Sequence, residues 1–168
     1  MTRTEDQGPV RAFLTDPSTH GGAAVETIET HISLIVLAGD RALKLKKAVR
    51  LPYADLSTPE RRLAVCAAEL ARNRLTAPRH YLAVRRITRD RGGLAFDGAG
   101  PLVDAVVEMR RFDQGALLDA LADRGALEAA TIEALAAEVA ALHAQAPARD
   151  AGGAAAVAGV LAVNEAGF

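Results

Sequence analysis

Tryptophan is absent from these 168 residues, and rings are scarce throughout, with four Phe and two Tyr. None of the six is interleaved with the basic run between Arg41 and Arg50, so the stacking surface of a single-strand nucleic-acid binder is missing, and nucleic-acid binding is the weakest reading of that run. Cys66 is the single cysteine, which rules out an internal disulfide. It lies inside a helical pattern with no base nearby in sequence, so it reads as a small packing residue. His20, His31, His80 and His143 share no metal-ligand spacing, and no metal site is assigned to them. No run of about 18 apolar residues exists, and the start Met1-Thr2-Arg3-Thr4-Glu5-Asp6 lacks the apolar stretch of a secretory leader. The expectation is a cytoplasmic protein without membrane contact.

What is present suffices for a core. Half of the residues are apolar, and a chain of this length buries roughly 70% of its unfolded surface. Charge is unevenly spread. From Phe112 onward there are eight acidic residues against Arg124 and Arg149, which leaves the first 111 residues at +5 within a total of −1. The excess is concentrated in Arg41, Lys44, Lys46, Lys47 and Arg50, a pattern that suits a solvated strand face or an anion site.

Residues 1–24 form a polar segment with a short helical candidate from Pro9 to Leu14. Alternation predicts strands over Val25–Glu29 and Arg41–Lys46, with a more buried one over Ile32–Leu37. Gly39-Asp40 signals a tight antiparallel hairpin between the last two. Ser57-Thr58-Pro59-Glu60 marks a helix start, with Ser57 as cap and Glu60 closing a capping box. That helix runs to about Arg74, with Leu63, Cys66, Ala67 and Leu70 on its apolar face, and Arg61 and Arg62 read as solvated charges. Strands follow at Tyr81–Thr88, Leu94–Phe96 and Val103–Met109. Helices come last, at Ala116–Ala122 and from a Thr131 cap to Ala144, where Ile132, Leu135, Val139 and Leu142 form a stripe. Ala151–Val163 is too rich in Ala and Gly to fix a packing, and reads as a weak helix or a disordered end. The class is α+β, an antiparallel sheet of about five to six strands with one inserted helix, followed by helices.

Four blocks carry a resemblance: Thr30–Lys47 (T-H-I-S-L-I-V-L-A-G-D-R-A-L-K-L-K-K), Arg50–Arg62 (R-L-P-Y-A-D-L-S-T-P-E-R-R), Cys66–Arg74 (C-A-A-E-L-A-R-N-R) and Val106–Asp113 (V-V-E-M-R-R-F-D). Together they resemble the N-terminal part of bacterial aminoglycoside-phosphotransferase-like proteins of the kinase-like fold, of the type often fused to a P-loop ATPase domain. The resemblance implies a nucleotide-binding N-lobe over residues 25–111, a hinge and the first helices of a C-lobe over 112–148, and an Ala/Gly-rich tail over 149–168. Lys44 is then the lysine on the ATP phosphates, with Lys46, on the same strand face, as the rival assignment. Glu69 is the helix glutamate that holds this lysine. Ala42 lies against the adenine, and the main chain of Glu108, Met109 and Arg110 is the hinge that binds it. No glycine-rich loop covers the phosphates; the equivalent turn offers Thr30 and Ser33 as hydroxyl and backbone donors, or is simply a Thr/Ser-rich β-turn.

The residues that would transfer a phosphate are missing. There is no H-G-D segment, since His20-Gly21-Gly22 precedes the sheet and Phe96-Asp97-Gly98 sits in a hairpin. The expectation is therefore an ATP-binding lobe that is inactive alone, with Mg²⁺ bound only when a second lobe supplies its ligands. The chain is expected to be a truncated gene product or a piece of a longer one. A missing C-terminal lobe or a P-loop ATPase domain is the expected partner, and the surface such a lobe covers would otherwise favour self-association. The alternative is a non-catalytic scaffold derived from a kinase-like lobe.

Overall fold

The computed structural model describes residues 2–3, 5–148 and 152–165, with only the backbone at Thr2 and Arg3. The chain divides into two compact units, Met1–Phe112 and Asp113–Phe168.

The first unit is built on a six-stranded antiparallel sheet. Its strands are β2 (Val25–Glu29), β3 (Ser33–Ala38), β4 (Arg41–Lys46), β7 (Tyr81–Asp90), β8 (Gly93–Phe96) and β9 (Leu102–Arg110), in the order β2-β3-β4-β9-β7-β8. A second sheet of three very short strands, β1 (Thr2–Arg3), β5 (Val49–Leu51) and β6 (Ala54–Asp55), was not expected from the sequence. Strands of two or three residues are too short to show a period. The β3–β4 hairpin closes on Gly39-Asp40, with Ala38 opposite Arg41, and Gly39 takes a left-handed φ of 54° that a side chain would disfavour.

Alternation along the strands sends neighbouring residues to opposite faces, and a helix covers each face. Helix α1 (Gly8–Thr15) inserts Val10 and Leu14 among Leu34, Val36, Leu43, Leu45, Ile87 and Val106. The polar segment at residues 1–24 thus contributes to the core, because Leu14 loses all contact with water. Burial of a side chain of that size stabilises the fold by about 1.5–3 kcal/mol. Helix α2 (Pro59–Asn73) covers the other face, where Cys66 meets Ala105 and Val107, flanked by Leu63, Tyr81, Val84 and Met109.

Three details of α2 differ from the sequence reading. Thr58 is the cap and its side chain accepts from Arg61 N, whereas Ser57 donates through both its N–H and its hydroxyl to Asp55. Arg61, not Glu60, then occupies the third helical position, so no capping box forms. Ala67 is exposed. Arg62, read as a solvated charge, is completely buried, because it lies four residues before Cys66 on the inner stripe of the helix.

The second unit is helical, with α3 (Leu118–Asp123), α4 (Ala129–Gln145) and α5 (Gly153–Glu165). Helix α4 begins one turn before the expected cap: Glu128 occupies that position, and Thr131 lies within the helix. Ile132, Leu135, Val139 and Leu142 are all exposed. The Ala/Gly-rich tail is helical over α5, and the rest of that expectation, residues 149–151 and 166–168, lies outside the described residues. Among the described residues no helix is long and apolar enough to cross a membrane.

Candidate functional site

Strand β4 places Ala42, Lys44 and Lys46 on the face that α2 covers, in line with Val107 and Met109 of the adjacent β9. Glu69 lies on the third turn of α2, three residues beyond the buried Cys66, and so at the margin of the helix face that meets the sheet. Its carboxylate is shared. Lys44 Nζ donates to Oε1 at 2.9 Å, and Lys46 Nζ donates to Oε2. The sequence put the two lysines forward as rivals; both reach the same glutamate, one to each oxygen.

They are not equivalent. The Lys44 side chain keeps 27% of its surface exposed and Lys46 only 5%, with Glu69 at 13%. Burial alone would push the Glu69 carboxyl up, but the Lys46 and Lys44 ammoniums outweigh it and hold the group below the ordinary glutamate range. Burial pushes the neighbouring Cys66 thiol up to about 12, which leaves it a thiol that donates weakly to Ala105 O and no nucleophile.

The other expected site residues divide. Ala42 is buried opposite Met109 on the lysine face. Glu108 lies opposite Leu43, half-enclosed between the guanidiniums of Arg85 at 3.2 Å and Arg41 at 3.7 Å. Its side chain is thus committed to ion pairs. Arg110 N donates to His80 O and Arg111 N to Asp40 O, so the sheet uses these main-chain groups. In the β2–β3 turn, Thr30 N donates to Ser33 O and Ser33 N to Thr30 Oγ1, which closes the turn on itself. The Ser33 hydroxyl is buried and has no partner among the described residues. Lys47 braces this turn through Thr30 O and Glu29, whose carboxyl is held down at about 2 by Arg11 and Lys47.

Every cation of the basic run is matched. Arg41 meets Asp40 and Glu108, Lys44 and Lys46 meet Glu69, Lys47 meets Glu29, and Arg50 meets Asp55. The run is therefore a set of ion pairs along a strand and its flanks, with Lys44 and Lys46 turned toward a helix.

Sequence reasoning missed a second polar cluster at one end of this face. Arg62 and Asp104 form an ion pair at 2.8 Å in which neither side chain is exposed. Gln7, next to α1, donates to Asp104 Oδ2 and to Lys46 O. The available signals were the spacing of Arg62 before Cys66 and a lone aspartate in the apolar strand V-D-A-V-V.

No protein-family model matches the chain. It is similar to proteins of Mycobacterium tuberculosis and Mycobacterium bovis that are described only as uncharacterized, each 32% identical over 119 residues, or 71% of this chain. Those residues are 22% of each mycobacterial protein, so the match covers about a fifth of the relatives' length. No solved structure matches.

Proposed function

We propose that this chain is the ATP-binding lobe of an aminoglycoside-phosphotransferase-like small-molecule kinase, acting in the cytoplasm. The observation that carries this reading is the Glu69 carboxylate shared between Lys44 and Lys46 on the helix-covered face of the sheet. A strand lysine held by a helix carboxylate is how kinase-like enzymes keep a cation ready for the α- and β-phosphates.

The unequal burial divides the work. Lys44, the more accessible, is the lysine that swings to the phosphates, while Lys46 stays on Glu69 and keeps its charge matched. Ala42 leaves room for the adenine, and Met109 beside it extends the apolar platform. The main chain at the end of β9, Glu108 to Arg110, is the hinge against the adenine's polar edge. Mg²⁺, when bound, would be held by ligands that a second lobe supplies. Phosphoryl transfer requires an aspartate base and metal ligands in addition to these residues, and this lobe alone turns nothing over.

ATP titration followed by thermal shift tests the reading. Saturable stabilisation that is lost in Lys44→Ala is the expected result, and an unchanged melting curve at saturating ATP refutes it. A second reading, a non-catalytic interaction module, draws on the exposed Ile132, Leu135, Val139 and Leu142 of α4 and Val157, Val160 and Leu161 of α5. It predicts self-association in light scattering together with indifference to ATP.

A further inference from the structure

The buried cluster behind the lysines joins three parts of the fold through one side chain. Asp104 Oδ1 accepts from Arg62 Nε of α2 at 2.8 Å, and its Oδ2 accepts from Gln7 Nε2 at 2.8 Å. Gln7 in turn grips the end of β4: its Nε2 donates to Lys46 O at 2.9 Å, and its Oε1 accepts from Ala48 N at 2.7 Å. Arg62 also donates to Leu56 O at 3.1 Å and to Glu5 at 2.7 Å. Arg62 and Glu69 are seven residues apart, about two turns, and so project from the same side of α2. Lys46, whose carbonyl Gln7 holds, is the residue whose ammonium meets Glu69.

We infer that Asp104 is a positioning residue that sets helix α2 against strand β4 and thereby fixes the contact of Glu69 with Lys44 and Lys46. Its functional meaning rests on the nucleotide reading above, whereas its geometry does not. The carboxylate suits the task because each of its oxygens faces a donor. Gln7 cannot turn over, since Ala48 N requires its oxygen where Lys46 O and Asp104 require its nitrogen. An amide at position 104 cannot replace the acid. With its nitrogen toward Gln7 it sets donor against donor, and with its nitrogen toward Arg62 it does the same there, against a buried cation. Either way one tie breaks, and helix and strand are free to shift.

The test is Asp104→Asn in the full chain, read by NMR titration of the Glu69 side-chain carboxyl carbon and by thermal melting. The groups around Glu69 are Lys44, Lys46, Tyr81 and Cys66; burial pushes the Tyr81 hydroxyl and the Cys66 thiol upward, so neither titrates in the acid range. A folded variant whose Glu69 midpoint moves up toward the ordinary glutamate value supports the inference. A folded variant with an unmoved midpoint overturns it. Should the variant fail to melt cooperatively, Gln7→Ala, which leaves the Asp104–Arg62 charge pair whole, is read by the same two outcomes. ATP affinity in a folded, shifted variant is expected to fall by about tenfold to a hundredfold, the loss that accompanies one missing hydrogen bond to a charged group. The Glu69 signal is read without nucleotide, so a wild type that ignores ATP sinks the proposed function while leaving this titration to decide the role of Asp104.

Discussion

Replacing Glu69 by Gln removes one charge and almost no volume, so the response isolates what the carboxylate does for the two lysines. The amide oxygen can still accept from one ammonium, but its nitrogen then faces the other as donor against donor. Lys46 is 5% exposed and has little access to water in compensation, whereas Lys44 at 27% can turn outward. Removing one partner of a fully buried pair costs about 3–5 kcal/mol, and an exposed pair contributes about 0–1 kcal/mol. With one lysine near each limit, and one hydrogen bond kept, Glu69→Gln should destabilise the first unit by about 2–3 kcal/mol at pH 7, a fall in melting temperature of about 10 °C.

The pH dependence separates this account from simple loss of packing. The Glu69 carboxyl is depressed in the folded state, so its contribution is fully present above the ordinary glutamate value of 4.5 and is lost as the pH falls through the lower, folded value. The gap in stability between wild type and Glu69→Gln should therefore be widest near neutrality and close as the pH falls below the ordinary glutamate value and through the lower, folded one. Thermal or urea melts at half-unit pH steps measure it. A gap that stays constant across that range, or one below about 0.5 kcal/mol at pH 7, refutes the reasoning.

Three further outcomes follow from particular side chains. Lys44→Met should abolish ATP-induced stabilisation with little change in melting of the free protein, while Lys46→Met should lower the melting temperature first; the same thermal-shift plate reads both. Cys66 should resist thiol reagents in the folded chain at pH 8 and react fully in denaturant, because the buried thiol sits at about 12; stoichiometric labelling of the native protein would contradict this. Thr58→Ala should cost about 1 kcal/mol through loss of the α2 cap, whereas Ser57→Ala should act through contacts other than the cap, its bond to Asp55 among them; paired urea melts compare them.

The main sheet was legible because its strands are long enough to show alternation and its turns carry distinct chemistry. Val25–Glu29 and Arg41–Lys46 coincide with the strands that form, and Gly39-Asp40 closes the hairpin between β3 and β4. The cap of α2 was misplaced by one residue because Ser57 and Thr58 have equivalent hydroxyls. What separates them is Asp55, which engages Ser57 and leaves Thr58 to the helix. The period of β4 placed Lys44 and Lys46 on one face. Their different depths along the helix-covered face were not legible there, because depth is a property of tertiary packing.

Arg62 shows most clearly why part of the site stayed hidden. On a helical wheel it falls with Cys66 and Glu69, yet an arginine on an inner stripe is normally discounted, because burying its charge is strongly unfavourable without a partner. The partner lies 42 residues away in sequence, at Asp104, in the apolar stretch V-D-A-V-V of β9. Each residue alone violates the pattern of its own element, and only their juxtaposition removes the violation. A charged residue on an apolar helix stripe and an opposite charge in a buried strand are thus best read together, as one expected pair. Here that rule would have joined α2 to β9 at Arg62 and Asp104, two helical turns from the carboxylate that meets the lysines.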